Sequence, residues 1–245
     1  MSAPTVAELR ERLQAPRRPY DTYYGRRVMR FFSIYLTLIF IRWGTQPSSV
    51  TLLSLVVGVW GSYLLLYGQW VTGLLFVNFW YLLDHVDGEL ARYYKKSSAS
   101  GLYFDTILNA IVPPLTFFSL GWSLGASDNS WTWVAAGSTA AYGSLMLLII
   151  PYCEAMVLRQ WSESTRPSEK KAVAPSEKKL ANRLFNILHT AVTFPVFLPL
   201  ITVAALFSLD LRIFLMAYAA TVSTVWIVIL SHHVATGKSD KAFQG

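Results

Sequence analysis

Six apolar runs constrain this chain more than any other feature. They lie at roughly 50–67, 71–88, 102–121, 132–153, 186–207 and 211–231. Each approaches the ~20 residues a helix needs to cross a hydrocarbon core. A seventh stretch, FFSIYLTLIFI at 31–41, is held between Arg30 and Arg42. It is too short to span comfortably and fits a helix lying in the interface. Only 14% of the residues are charged and 53% are hydrophobic, where soluble domains carry about a quarter charged. The expected fold is therefore all-α: a polytopic membrane protein with six transmembrane helices and an N-terminal interfacial amphipathic helix. No internal repeat is visible, so 1–245 is expected to form a single membrane domain. Residues 1–45 make its interfacial N-terminal segment, 46–233 the six-helix core and 234–245 a tail.

Loop charges set the expected orientation. Of the 21 Lys and Arg, eight precede the first span, three are Arg92, Lys95 and Lys96, seven lie from Arg159 to Arg183, and two are Lys238 and Lys241. The loops on the other side hold only Arg212. By the positive-inside rule both termini face the cytoplasm, placing a multi-pass protein in the cell (inner) membrane. The net charge of +7 is mainly this topology signal, with some attraction to anionic headgroups of the membrane lipids. No compact basic domain exists to bind nucleic acid. The Arg-rich start has no cleavable apolar core, so no signal peptide is expected. Cys153 is the single cysteine, which excludes an internal disulfide and a cysteine metal site. SESTRPSEKKAVAPSEKK at 162–179 reads as a flexible polar loop.

The chemistry concentrates in LLDHVDGELARYYKKSSASGLYFDTILN, residues 82–109. On a helix, Asp84, Asp87, Gly88 and Ala91 share one face, and on the next helix Gly101, Asp105, Leu108 and Asn109 share another. The connection at 93–100 is short enough to make the two helices antiparallel neighbours whose polar faces meet. One boundary acid alone is as well explained by the headgroup layer or by Arg92. Three carboxylates and an amide converging from two helices are costly at that depth without cations. An oxygen-only set favours Mg2+ or Mn2+, which couple carboxylates to substrate phosphates. Two ions bridging a pyrophosphate would suit phosphoryl-type transfer.

The run Asp84-x-x-Asp87-Gly88-x-x-Ala91-Arg92, eight residues, then Gly101-x-x-x-Asp105-x-x-x-Asn109 resembles the signature of the CDP-alcohol phosphotransferase family. That signature reads DxxDGxxAR, eight residues, GxxxDxxxD, and only the last position differs. QPSSVTLLSL at 46–55 is similar to the family's TPNxxT start of the first helix, with Ser48 for asparagine. The resemblance implies transfer of a phosphoalcohol group, phosphatidyl in phospholipid biosynthesis, from a CDP-alcohol donor such as CDP-diacylglycerol to an acceptor alcohol, releasing CMP. It implies that Asp84, Asp87 and Asp105 ligate the metals and that Gly88, Ala91 and Gly101 line the cytidine end. It also implies a homodimer. Arg92 has two readings, contact to donor phosphate or a structural pair with an acid such as Glu89. His85 points off the acidic face and reads as a boundary residue.

The departure is Asn109, at the position of the family's general base, because an amide has no useful basicity. Three expectations follow: an active enzyme with another base or a metal-bound acceptor, an enzyme using an acceptor already ionised, or a catalytically weakened relative that binds a CDP-linked lipid without turnover. Glu154 is a candidate substitute base, though a boundary acid beside Arg159 explains it as well. A cation-coupled transporter is a further alternative, disfavoured because such sites sit near mid-bilayer on broken, often repeated helices.

Overall fold

The structure is a computed structural model that describes residues 5–15, 22–96, 99–164 and 193–236. Every regular element among them is helical. Helix α1, Val6–Leu9, starts on a capping box between Thr5 and Glu8 and runs on as a wider π-type turn, Arg10–Gln14. A similar turn, Gly25–Met29, leads into α2, Arg30–Arg42. Six further helices follow: α3 (Pro47–Leu66), α4 (Trp70–Tyr93), α5 (Ala99–Asp128), α6 (Trp131–Ser164), α7 (Phe194–Leu206) and α8 (Leu211–Thr236).

Four of these, α3, α5, α6 and α8, contain stretches long and apolar enough to cross a membrane. Helix α4 has the length, 24 residues, but carries Asp84, Asp87, Glu89 and Arg92 near its C-terminal end. Helix α7 has 13 residues; the start of its apolar run, 186–192, lies outside the described residues, as do Lys238, Lys241 and the polar loop from residue 165 on. Large apolar side chains on the outside of α3, among them Val56 and Trp60, are exposed, as expected of surfaces that meet lipid.

Helix α3 packs along α4 and α5, α5 along α6, and α6 along α8, while α2 and α7 cover α4. Trp80, Val112, Phe117, Leu198 and Tyr218 lie in the shared core, with the Phe117 and Tyr218 rings stacked 4.2 Å apart. Without a hydrophobic drive between helices in lipid, close packing supplies the association. Gly121 and Gly137 carry it furthest: a Cβ on Gly121 would stand 2.6 Å from the Gly137 Cα.

The short connection between α4 and α5 does not make them close neighbours along their length. Helix α3 lies against both, and the two touch each other little. At the wedge, a Cβ on Gly58 would meet Val112 of α5 at 2.7 Å and Trp80 of α4 at 2.9 Å. A short connection ties only one pair of ends, and the acids occupy those ends. There α4 ends at Tyr93, and the chain turns away at Lys95, whose φ is 54°. The Lys96 N–H returns to the Ala91 carbonyl at 2.9 Å, satisfying an end carbonyl as left-handed C-caps do.

Helix α2 is turned differently from a simple interfacial helix. Arg30, Ser33, Ile34 and Thr37 are buried, and Phe31, Phe32 and Tyr35 are exposed. Its polar side faces the protein because a buried acid of α4, Glu89, stands there.

Candidate active site at the acidic ends of α4 and α5

Helical spacing places Asp84, Asp87, Gly88 and Ala91 along one side of α4, and the structure brings that side to α5. The Asp84 carboxyl lies within electrostatic reach of those of Asp105 and Asp87. Asp87 also senses Asp105 and the Arg92 guanidinium. The Thr51 hydroxyl, at the start of α3, donates to Asp87 Oδ2 at 2.9 Å. On α5 the Asn109 amide donates to the Asp105 carbonyl at 2.9 Å and to its Oδ1 at 3.3 Å. One oxygen has no such help: Asp84 Oδ1 is buried without a hydrogen-bond partner.

Magnitudes decide what this arrangement asks for. Two like charges about 4 Å apart repel by ~4 kcal/mol at an effective dielectric of 20, while a hydrogen bond returns ~1 kcal/mol. Thr51 and Asn109 therefore orient two of the carboxylates without balancing the cluster. A hard cation would, and the all-oxygen donors suit Mg2+ or Mn2+. Among the described residues no three His, Cys, Asp or Glu side chains are gathered as a ready-made cage. The buried, unpartnered oxygen on Asp84, a carboxyl within electrostatic reach of two others, nonetheless fits a cation-binding role.

The other residues singled out in the sequence group around this core. Gly88 leaves room for Arg92, whose Nη1 would stand 3.3 Å from a Cβ placed there; the guanidinium thus lies back over Gly88, one turn before it on α4. Ala91 is half-buried one turn beyond Asp87, and Gly101 is exposed one turn before Asp105. His85 is turned away, with Nδ1 2.9 Å from the Tyr81 carbonyl and its ring edge-on to Tyr81 at 4.6 Å. Glu154 lies on α6. Pro113 follows Asn109 by four positions, so it offers the Asn109 carbonyl no ladder N–H.

Some neighbours of the site were not legible beforehand. Thr51 was visible only as the last residue of the similar helix start. Glu89 is buried among Gln14, Ser33 and Thr37, and the available signal was the polar spacing Arg30, Ser33, Thr37 inside an apolar run. Tyr24 donates to Asn78 Oδ1 at 2.6 Å, and the Asn78 amide to Thr202 at 2.8 Å; burial pushes the Tyr24 phenol up to about 12, which keeps it a neutral donor.

The sequence model of CDP-alcohol phosphatidyltransferase matches residues 44–231. The chain belongs to that family. Its acidic cluster is thus seated in a scaffold of transferases of phospholipid biosynthesis. A phosphatidylinositol phosphate synthase of Streptomyces avermitilis is 31% identical over 115 residues, 45% of this chain and 45% of that protein. The chain therefore aligns with a little under half the length of this curated relative. The crystal structure of a phosphatidylinositol phosphate synthase of Mycobacterium tuberculosis with CDP-DAG bound shares the fold, with a TM-score of 0.59 and 18% identity over 82% of this chain and 92% of that one. The family match leaves α1 and α2 outside it.

Proposed function

We propose that this family member transfers a phosphoalcohol group, phosphatidyl in the first instance, from a CDP-alcohol donor to an acceptor hydroxyl with release of CMP, in a metal-dependent reaction of phospholipid synthesis. The observation that carries the reading is a buried Asp84 oxygen without a hydrogen-bond partner, on a carboxyl within electrostatic reach of both Asp105 and Asp87. These three acids stand at the acid positions of the family motif. The similarity to a phosphatidylinositol phosphate synthase, and the shared fold with one bound to CDP-DAG, support CDP-diacylglycerol as donor.

In this reading Asp84, Asp87 and Asp105 hold one or two Mg2+ or Mn2+ ions. Bound there, the ions supply charge neutralisation for the donor pyrophosphate. The acceptor oxygen forms a bond to the phosphorus that bears the donor alcohol, and the bridging P–O bond breaks. CMP leaves with the bridging oxygen and the acceptor's proton leaves for solvent. Thr51 keeps Asp87 oriented, and Arg92 faces the donor phosphates across Gly88. Gly88, Ala91 and Gly101 leave space for the cytidine end. Asn109 takes no proton. Its amide instead holds Asp105, where a fourth carboxylate would add repulsion. In this reading the end lies at the cytoplasmic face, which the distribution of loop charges supports.

Purified protein incubated with a panel of CDP-alcohols, alcohol acceptors and Mg2+ tests the proposal, with CMP and product mass as readouts. The expected result is CMP release that requires the metal and ceases with a chelator. Saturable donor binding without CMP from any pair would instead establish the binding-only alternative, and absence of both would refute the assignment.

A further inference from the structure

Glu89 lies off the side of α4 that carries Asp84 and Asp87, yet it is fully buried. Its Oε1 accepts from the Gln14 amide at 2.8 Å and the Ser33 hydroxyl at 2.7 Å, and its Oε2 from the Thr37 hydroxyl at 2.7 Å. An Arg30 guanidinium nitrogen stands 3.9 Å away. The Gln14 amide also reaches the Arg30 carbonyl at 2.8 Å. Three residues along α4, Arg92 Nε donates to the Leu13 carbonyl at 2.9 Å. Leu9 and Leu13 pack with Ile34 in a small core of their own. The N-terminal helical segment is thereby strapped to α2 and α4 by two consecutive residues, 13 and 14.

A buried carboxylate serving only to join helices is a poor stabiliser, because its desolvation offsets much of what its partners return. The second tie gives the strap a consequence for the site. The guanidinium is planar, with its N–H donors in a fixed fork. Committing Nε to the Leu13 carbonyl therefore fixes where the remaining N–H groups point. They lie over Gly88 and near Asp87.

We infer that Glu89 is a positioning residue: by anchoring Gln14 it holds the Leu13 carbonyl in place, and that carbonyl sets the Arg92 guanidinium against the donor-phosphate site. The inference rests on the reading of the acidic end as a CDP-alcohol site. Leu13, Gln14, Arg30, Ser33 and Thr37 all precede residue 44, where the family match begins. This chain thus completes its donor site with a segment that the family pattern does not specify.

The test is a double-mutant cycle on donor affinity in the full-length protein, using CDP-diacylglycerol, Mg2+ and the variants Gln14→Ala, Arg92→Lys and both together. Gln14→Ala should weaken donor binding about tenfold, comparable to loss of one hydrogen bond to a charged group. In the Arg92→Lys background it should weaken binding by less than about twofold, since the strap acts through Arg92. Wild-type affinity in Gln14→Ala, or full multiplicativity in the double variant, would overturn the inference. Hydrogen exchange on the unliganded proteins reads the same link without donor: Gln14→Ala should quicken exchange at Gly88–Arg92 as well as at Leu9–Gln14, and unchanged protection at Gly88–Arg92 would also overturn it. If wild-type protein binds no donor at all, the function reading fails, whereas donor binding indifferent to Gln14 sinks the strap alone.

Discussion

At one end of the bundle Asp128 meets Arg212, and at the other Asp84 meets Asp105. Asp128 receives the Arg212 Nε at 2.7 Å and a second guanidinium nitrogen on its other oxygen. The Trp133 indole adds a donor at 2.8 Å, and Arg212 also reaches Asp210. The ends of α5, α6 and α8 are joined there by a charge and its opposite, complete within the chain and open to solvent. Around Asp84 the carboxyls face like charge, Thr51 and Asn109 supply only neutral donors, and one buried oxygen has none. Both ends contain acids on apolar helices, so acidity alone does not mark a site. What separates them is how far the chain supplies its own counter-charge: Arg212 grips Asp128 directly, whereas at the other end Arg92 acts on Asp87 only at a distance. The Asp128 end is finished as folded; in the proposed reading the Asp84 end is finished by a bound cation.

That contrast is sharpest when acids are removed. Asp84→Ala, Asp87→Ala and Asp105→Ala should each weaken Mg2+-dependent CDP-alcohol binding more than about 100-fold, beyond the ~10–100-fold typical of an outer-shell partner. The variants should stay folded in detergent, since deletion relieves repulsion. Titration calorimetry and size exclusion check both halves, and full binding by any two of the three would break the distinction.

Asn109→Asp probes the same end with an added charge. The variant loses the amide that holds Asp105 and gains a carboxylate with basicity. The CMP-release rate should change by less than the ~10²–10⁴-fold of a positioned general base. A gain within that range would mean that the native chain lacks a catalytic group and that its amide is a loss rather than an adaptation.

The smallest effect belongs to the finished end. Arg212→Met should lower the unfolding temperature slightly in low salt, with the difference shrinking as salt screens the exposed pair. Donor affinity should not move. A large affinity loss would show that the two ends are coupled.

Much of the acidic end was legible because it is local. Asp84, Asp87, Gly88 and Ala91 share a face by helical period alone, and Asp105 and Asn109 likewise on the next helix. The apolar runs located the starts of α3 to α6 and of α8 to within three residues, but α5 and α6 run on well past them, to Asp128 and Ser164. What was not legible depends on pairings far apart in sequence. Gln14 and Glu89 are 75 positions apart, and nothing near either announces the other. The wedge of α3 between α4 and α5 rests on Gly58 fitting Val112 and Trp80, a matter of shape that periodicity does not carry. Helix α2 showed the intermediate case. Arg30, Ser33 and Thr37 form a polar stripe by spacing, but only the buried Glu89 explains why that stripe faces inward.

The central claim is that the Asp84 end, and not the Asp128 end, takes up divalent cations with the donor. Mn2+ titration followed by electron paramagnetic resonance tests it directly, in nanodiscs containing CDP-diacylglycerol, on the wild-type chain, Asp84→Asn, Asp105→Asn and Asp128→Asn. The account predicts bound Mn2+ in the wild type and in Asp128→Asn, and its loss in Asp84→Asn and Asp105→Asn. Undiminished Mn2+ binding in the Asp84 and Asp105 variants would contradict it.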